Sequence, residues 1–431
     1  MPRQRSTTRT ADATPLAQPH SPVIVGIDWA DREHVVCVLD RDQVQLQRLR
    51  QHPQAIADWV AELRQQAAGR EVRIALEQSR GPLIYALLQF PDLVLYPVNP
   101  RQLSSFRTTL APSGSKDDPG DAHLLAELLL HHEPNLRAWR PDDPATRQLG
   151  ELAQYRRQFV DRRTRLTQQL GALLKEFFPL VVELWTGKLH QPLVVELLQR
   201  WPSLHDLQRA RPQSLRRFLA EHGIRHAERQ TELMETFRAA RPLTTDSALL
   251  QPRALAAQAL ARQIAQLNQD VARFEEQLQQ AVAQHADAPL FQSCPGAGEA
   301  LVPRLIAAFG ADRSRFTDAS EIQAYCGIAP VTKQSGKKRV VSKRQACPKF
   351  LRQTFHEFAD QARKWSEWSR AFYQYKRANG MAHHAILRAL AYKWIRILFQ
   401  VWQTRTPYSE AAYQQQLRLR NSPLMKFLEP A

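Results

Sequence analysis

Strong β-forming runs in this chain are confined to the stretch from Pro22 to about Pro134, and that segregation limits it to one α/β unit followed by helical ones. VIVGID at residues 23–28 and HVVCVL at 34–39 read as two short strands joined by a polar turn. Residues 44–47 alternate as a third, so the three suggest an antiparallel meander. A helix over 53–68, a strand over 72–77, a short helix near 83–88, a strand over 93–98 and a helix over 119–131 complete the segment. The order predicts a mixed sheet flanked by helices.

From about residue 141 to 289 the β signal vanishes into Leu, Gln, Arg and Ala with helical periodicity. Leu260, Ile264, Leu267, Val271, Phe274 and Leu278 are spaced 4, 3, 4, 3, 4, the a/d alternation of a coiled coil or of a helix packed within its own chain. A third region opens near 288 with Pro295-Gly296-Ala297-Gly298, which resembles the turn of a helix-hairpin-helix element. The expected divisions are a basic tail over 1–20, an α/β domain over 21–137, a helical region over 138–287, a C-terminal domain over 288–405 and a tail over 406–431. The fold class is therefore α/β plus α.

Charge identifies the kind of partner. Lys plus Arg is 59 against 42 Asp plus Glu, a net +17, which favours a polyanion. Arg156, Arg157, Arg162, Arg163 and Arg165 concentrate cations along one helix. Residues 331–352 hold eight cations and no carboxylate, among them Lys333, Lys337, Lys338, Arg339, Lys343 and Arg344, a density that points at phosphate. No apolar run approaches the ~18 residues that span a bilayer. Cys37, Cys294, Cys326 and Cys347 lack metal spacing and read as reduced thiols of a cytoplasmic protein.

Four carboxylates carry the chemistry. Asp28 and Glu77 each end a strand, so they meet if those strands are neighbours, and a carboxylate among apolar β residues is costly unless paired or holding a metal. Asp118 and Asp121 are three apart at a helix start, where an N-cap at Asp118 followed by Pro119 is the better account of these two residues taken alone. The whole order is that of ribonuclease-H-like nucleases. Oxygen-only ligands suit Mg²⁺, and two such ions serve phosphodiester transfer. Ser335, before Gly336 in a polar loop of the basic stretch, is a candidate nucleophile with Ser342 as its rival.

Taken together, the chain resembles transposases of the insertion sequence 110 family, the DEDD transposases. The carriers are Gly26-Ile27-Asp28, Ala75-Leu76-Glu77, Lys116 through Ala122, Pro295 through Gly298, and Tyr325 through Pro330 followed by Ser335-Gly336. The family pattern lands on Asp28, Glu77, Asp118 and Asp121, leaving Asp117 without an assigned role. The resemblance implies a RuvC-like domain holding Mg²⁺, a helical, coiled-coil linker, and a mostly helical C-terminal transposase domain whose nucleophile is Ser335. It also implies donor and target DNA, a structured guide RNA that would suit the basic helix, a homo-oligomer (dimer or tetramer), and a bacterial, nucleoid-associated location. After Ser342-Lys343 the chain departs from the family, with Gln345 through Pro348 where a glycine is common. Two rivals remain: a junction-resolving endonuclease that uses water, for which Ser335 is indifferent, and a non-catalytic nucleic-acid-binding protein.

Overall fold

The computed structural model describes residues 21–77, 81–110, 117–336 and 338–428, without the side chains of 109, 110, 333, 338, 339 and 426. The expected basic tail, Lys116 and Lys337 lie outside the described residues, as do the side chains of Lys333, Lys338 and Arg339. The chain divides into two compact units, Met1–Pro141 and Asp142–Ala431. The helical region and the C-terminal region thus share one unit.

In the first unit the sheet order is β3-β2-β1-β4-β5. The strands are β1 (Val23–Asp28), β2 (Glu33–Asp40), β3 (Gln43–Arg50), β4 (Val72–Leu76) and β5 (Leu93–Pro97). β1, β2 and β3 form the expected antiparallel meander, whereas β4 and β5 run parallel to β1. Period-two alternation gives β1 two buried faces. Val23, Val25 and Ile27 pack with Trp59, Val60 and Leu63 of α1 (Pro53–Ala67), and the short helix α2 (Pro82–Leu87) joins that layer. Ile24 faces the opposite layer, built from α3 (Pro100–Leu110) and α4 (Asp118–His132).

Two local readings change. Residues 100–110 form a helix that the sequence pattern did not announce, because only Leu103 is fully buried and Phe106 partly so. The cap of α4 is Asp117, which accepts a hydrogen bond from Gly120 N at 2.9 Å; Asp118 is the first helical residue. Asp117 therefore has a capping role, and the local explanation that competed for Asp118 moves to its neighbour.

The second unit is built on two long helices, α5 (Pro144–Lys175) and α11 (Ser247–Gln284). They run antiparallel: Arg156 pairs with Glu275, and Arg163 donates to Asn268 at 3.0 Å. The a/d seam of α11 thus finds a partner within its own chain. At one end, α6 (Pro179–Leu184), α7 (Pro192–Arg200), α8 (Leu204–Gln208), α9 (Pro212–Glu221) and α10 (Ala227–Ala239) surround a core that includes Leu170, Leu260 and Ile264. At the other end, a second core collects α12 (Ala288–Gln292), α13 (Val302–Phe309), α14 (Ala319–Tyr325), α15 (Lys349–Trp365), α16 (Glu367–Ala378), α17 (His383–Thr404) and α18 (Glu410–Leu419). Leu417 and Leu424 are buried in this core, so residues 406–428 are part of the fold and not a free tail.

Aromatics of the C-terminal region are mostly core. Trp368, Trp394 and Trp402 are fully buried, and their indole N–H groups donate to Tyr408 Oη, Ser369 Oγ and Gly310 O at 2.7–2.9 Å. The turn at 295–298 is packed at Gly296, where a Cβ at φ +84° would meet Ala362 N at 2.7 Å, and open at Gly298. Arg304 is buried between Thr354 and Glu357, and Glu357 also pairs with Arg157. Glu357→Gln keeps the shape but removes the countercharge of a buried guanidinium. A loss of about 1–3 kcal/mol in denaturant unfolding of the second unit is expected; an unchanged midpoint would show that Arg304 is balanced elsewhere.

Candidate active site and nucleic-acid face

β1 and β4 are parallel and adjacent, so their carboxyl ends lie side by side. The last recorded pair is Ile27 with Leu76; one register step further sets Asp28 beside Glu77, both half-buried. Glu77 stands just past β4 rather than inside it. Asp28 shares the β1 face of Ile24 and Gly26, the face that α4 covers.

Gly26 is what lets α4 come close. A Cβ there would lie 2.0 Å from Ala122 O and 2.5 Å from Ala126 N, so helix backbone rests directly on strand backbone. The contact brings the first turn of α4, with Asp118 exposed and Asp121 buried, to the layer that Asp28 faces. All four expected carboxylates therefore belong to one face at one end of the sheet.

They differ in environment. Asp121 is only 3% exposed and is paired with Arg107 of α3, whose Nε donates to Oδ1 at 3.0 Å. Arg107 is the residue at this sheet end that sequence reasoning missed, since its helix was missed. Asp118 lies within electrostatic reach of Arg48 on β3, which is itself paired with Glu33 at 2.8 Å. Beside Asp118, a groove lined by Leu46, Pro119, Gly120, His123, Leu124 and Glu127 is open to solvent.

The donor set is oxygen only, which fits a hard divalent cation. Among the described residues no three His, Cys, Asp or Glu side chains are gathered closely enough to hold a metal, and Arg107 supplies the positive charge at Asp121. The oxygen-acid chemistry at this sheet end is what suits such an ion.

The second unit carries the serine. Ser335 is the last residue of β6 (Val331–Ser335) and faces Lys338 at the start of β7 (Lys338–Ser342), so it sits at a hairpin tip and not in a loop. Gly336 turns the chain with φ +54°. Ser335 and Ser342 are both exposed, but Ser342 pairs with Val331 at the opposite end of the hairpin.

The arginines of α5 divide. Arg156 is paired with Glu275, Arg157 with Asp161 and Glu357, and Arg163 with Asn268. Arg162 and Arg165 are exposed, as is Lys343, while Arg344 is half-buried. Burial pushes the thiol of Cys37 up to about 11 and those of Cys294 and Cys326 up to about 12, which makes these three poor nucleophiles.

The first unit thus carries a five-stranded mixed sheet with acidic residues at one end, and the second is helical with a hairpin of basic sequence. Residues 25–179 match the model of the DEDD transposases of IS110 type, and residues 288–374 match that of the transposase IS116/IS110/IS902 family. The mini-circle putative transposase for IS117 of Streptomyces coelicolor is 30% identical over 405 residues, covering 90% of this chain and 95% of that protein. The insertion element IS900 uncharacterized 42 kDa protein of Mycobacterium paratuberculosis is 24% identical over 404 residues, covering 90% and 98%. The insertion element IS110 uncharacterized 43.6 kDa protein of Streptomyces coelicolor is 26% identical over 306 residues, covering 69% and 73%. The chain belongs to the IS110/IS116/IS902 family of transposases, enzymes that cut and rejoin DNA. Among the described residues no helix is long and apolar enough to cross a membrane.

Proposed function

We propose that this transposase recombines donor and target DNA through a serine nucleophile assisted by a Mg²⁺ site. The observation that carries the reading is the register of β1 and β4, which sets Asp28 beside Glu77 on the face where α4 presents Asp118 and Asp121. Those four carboxylates would hold Mg²⁺, which when bound neutralises charge developing on the phosphoryl oxygens. Ser335, exposed at the hairpin tip, attacks a DNA phosphorus. Its Oγ–P bond forms as the P–O bond to the sugar breaks, and the serine proton ends on the released DNA hydroxyl. The hydroxyl of the exchanged strand then attacks the phosphoserine, returns the proton to Ser335, and restores the phosphodiester without net hydrolysis.

The carboxylates and Ser335 belong to different compact units. Catalysis by both therefore requires that they be brought onto one phosphate, and assembly of two or four copies on DNA is one way to do so. The net +17 charge and the exposed Arg162 and Arg165 support binding of a structured guide RNA transcribed from the element.

The test is to combine the protein with RNA from the element's flanking non-coding sequence, donor and target DNA and Mg²⁺, and to look for a denaturation-resistant protein–DNA adduct. Wild type is expected to form it and Ser335→Ala to lose it. Free nicked DNA with both proteins would replace this mechanism with water-mediated cleavage at the acidic site.

A further inference from the structure

The foot of the β6–β7 hairpin carries a group of basic side chains that form no ion pair among the described residues. Arg352 and His356 are one turn apart on α15, and His384 and Arg388 are one turn apart on α17. The two helices pack together, with Phe358 edge-on to Trp394 at 5.2 Å. Burial first, then the charges of Arg388, Arg352 and His384, push half-buried His356 down to about 4, so its imidazole is neutral at pH 7. Arg352 Nη1 donates to Arg344 O at 3.2 Å, tying this group to the chain that leaves β7. Arg344 Nε is itself buried and makes no hydrogen bond among the described residues.

Nearby carboxylates are few and committed. None occurs between Glu321 and Glu357, and α17 contains none. Glu357 is held by Arg157 and Arg304, and Asp360 by Arg363 and Lys364. Arginines drawn together without an acid repel one another, and an anion is what relieves them. Three guanidinium groups and a neutral imidazole donor suit the oxygens of a phosphodiester.

We propose that Arg344, Arg352, His356, His384 and Arg388 form a seat for one backbone phosphate of DNA at the foot of the hairpin. The choice of DNA rests on the reading of Ser335 as the nucleophile that acts on it. Val331 to Ser335 is four strand steps, ~13 Å, so a phosphate in the seat lies within reach of the strand that the hairpin tip meets. The seat positions that strand; it takes no part in bond breaking.

The full-length protein is titrated into a labelled DNA duplex over a salt series and followed by fluorescence anisotropy. Arg352→Gln/Arg388→Gln is expected to weaken binding about tenfold at low salt and to reduce the slope of log K against log salt by about 1, the value of one lost phosphate contact. Ser335→Ala and Asp28→Asn should keep the wild-type slope. Arg388→Lys alone, which keeps the charge on the same helix, should also keep it and guards against a folding defect in the double variant. An unaltered slope in the double variant overturns the seat while leaving the serine mechanism standing. Loss of affinity for a labelled RNA strand with the DNA slope intact reassigns the seat to RNA and overturns the DNA proposal. Wild-type protein that binds no duplex at any salt overturns the seat and leaves the serine mechanism to its own test with RNA present.

Discussion

Asp28→Asn is expected to reduce DNA strand cleavage by roughly 10³-fold, about 4 kcal/mol of transition-state stabilisation, while leaving the protein folded and able to bind nucleic acid. The substitution keeps the volume and the β1 register with Val35 on one side and the β4 end on the other, and removes only the charge. Glu77→Gln should behave alike, because the parallel register makes the two neighbours at one sheet end. A double variant should lose little more than either single one, since the two act as a unit. Cleavage rates on a pre-bound substrate check this. Near-wild-type turnover with Asp28→Asn would remove the acidic site from the mechanism and leave the hairpin serine to act alone.

Gly26→Val is expected to destabilise the first unit by at least about 3 kcal/mol. No rotamer relieves the clash, because the Cβ itself would stand 2.0 Å from a helix carbonyl and 2.5 Å from a helix amide. Either α4 lifts off the sheet, exposing Ala122, Leu125 and Ala126, or β1 bends away from β2 and β4. Both outcomes separate Asp118 and Asp121 from Asp28. Limited proteolysis should show earlier cutting within residues 21–141 and unchanged resistance in the second unit. Equal resistance throughout would mean that α4 does not rest on Gly26.

Much of the first unit was legible because β1, β2, β4 and β5 are short, largely apolar runs rich in Val and Ile or Leu, and β3 alternates. The meander, β4, β5 and α4 all follow from that pattern. The polar helix carrying Arg107 did not, since it buries little. The places of the four carboxylates in the fold were legible, each at a strand end or helix start. Which of Asp117 and Asp118 caps α4 was not, because both stand before Pro119 and only backbone geometry decides. The heptad seam of α11 was readable, but its partner, α5, lies about a hundred residues away in sequence. The same separation hid the pairing of Arg156, Arg157 and Arg163 with Glu275, Glu357 and Asn268. A charge run shows how many cations a helix has, and only the tertiary fold shows how many remain for a ligand. The hairpin that carries Ser335 was not legible, because a strand of Val-Thr-Lys-Gln-Ser carries too little β signal to reveal it.

If a cation is taken up at this sheet end as proposed, the contact between Arg107 and Asp121 would make that uptake an exchange reaction. A dication that takes Asp121 must displace a guanidinium already bonded to it, so the observed affinity is the difference between two competing cations. The equilibrium constant contains the stability of the α3 terminus as well as the ligand field. Excess negative charge that approaches the sheet end can draw Arg107 away and ease that exchange. Polyanion and metal would then bind with positive linkage, each raising the other's apparent association constant by the same factor.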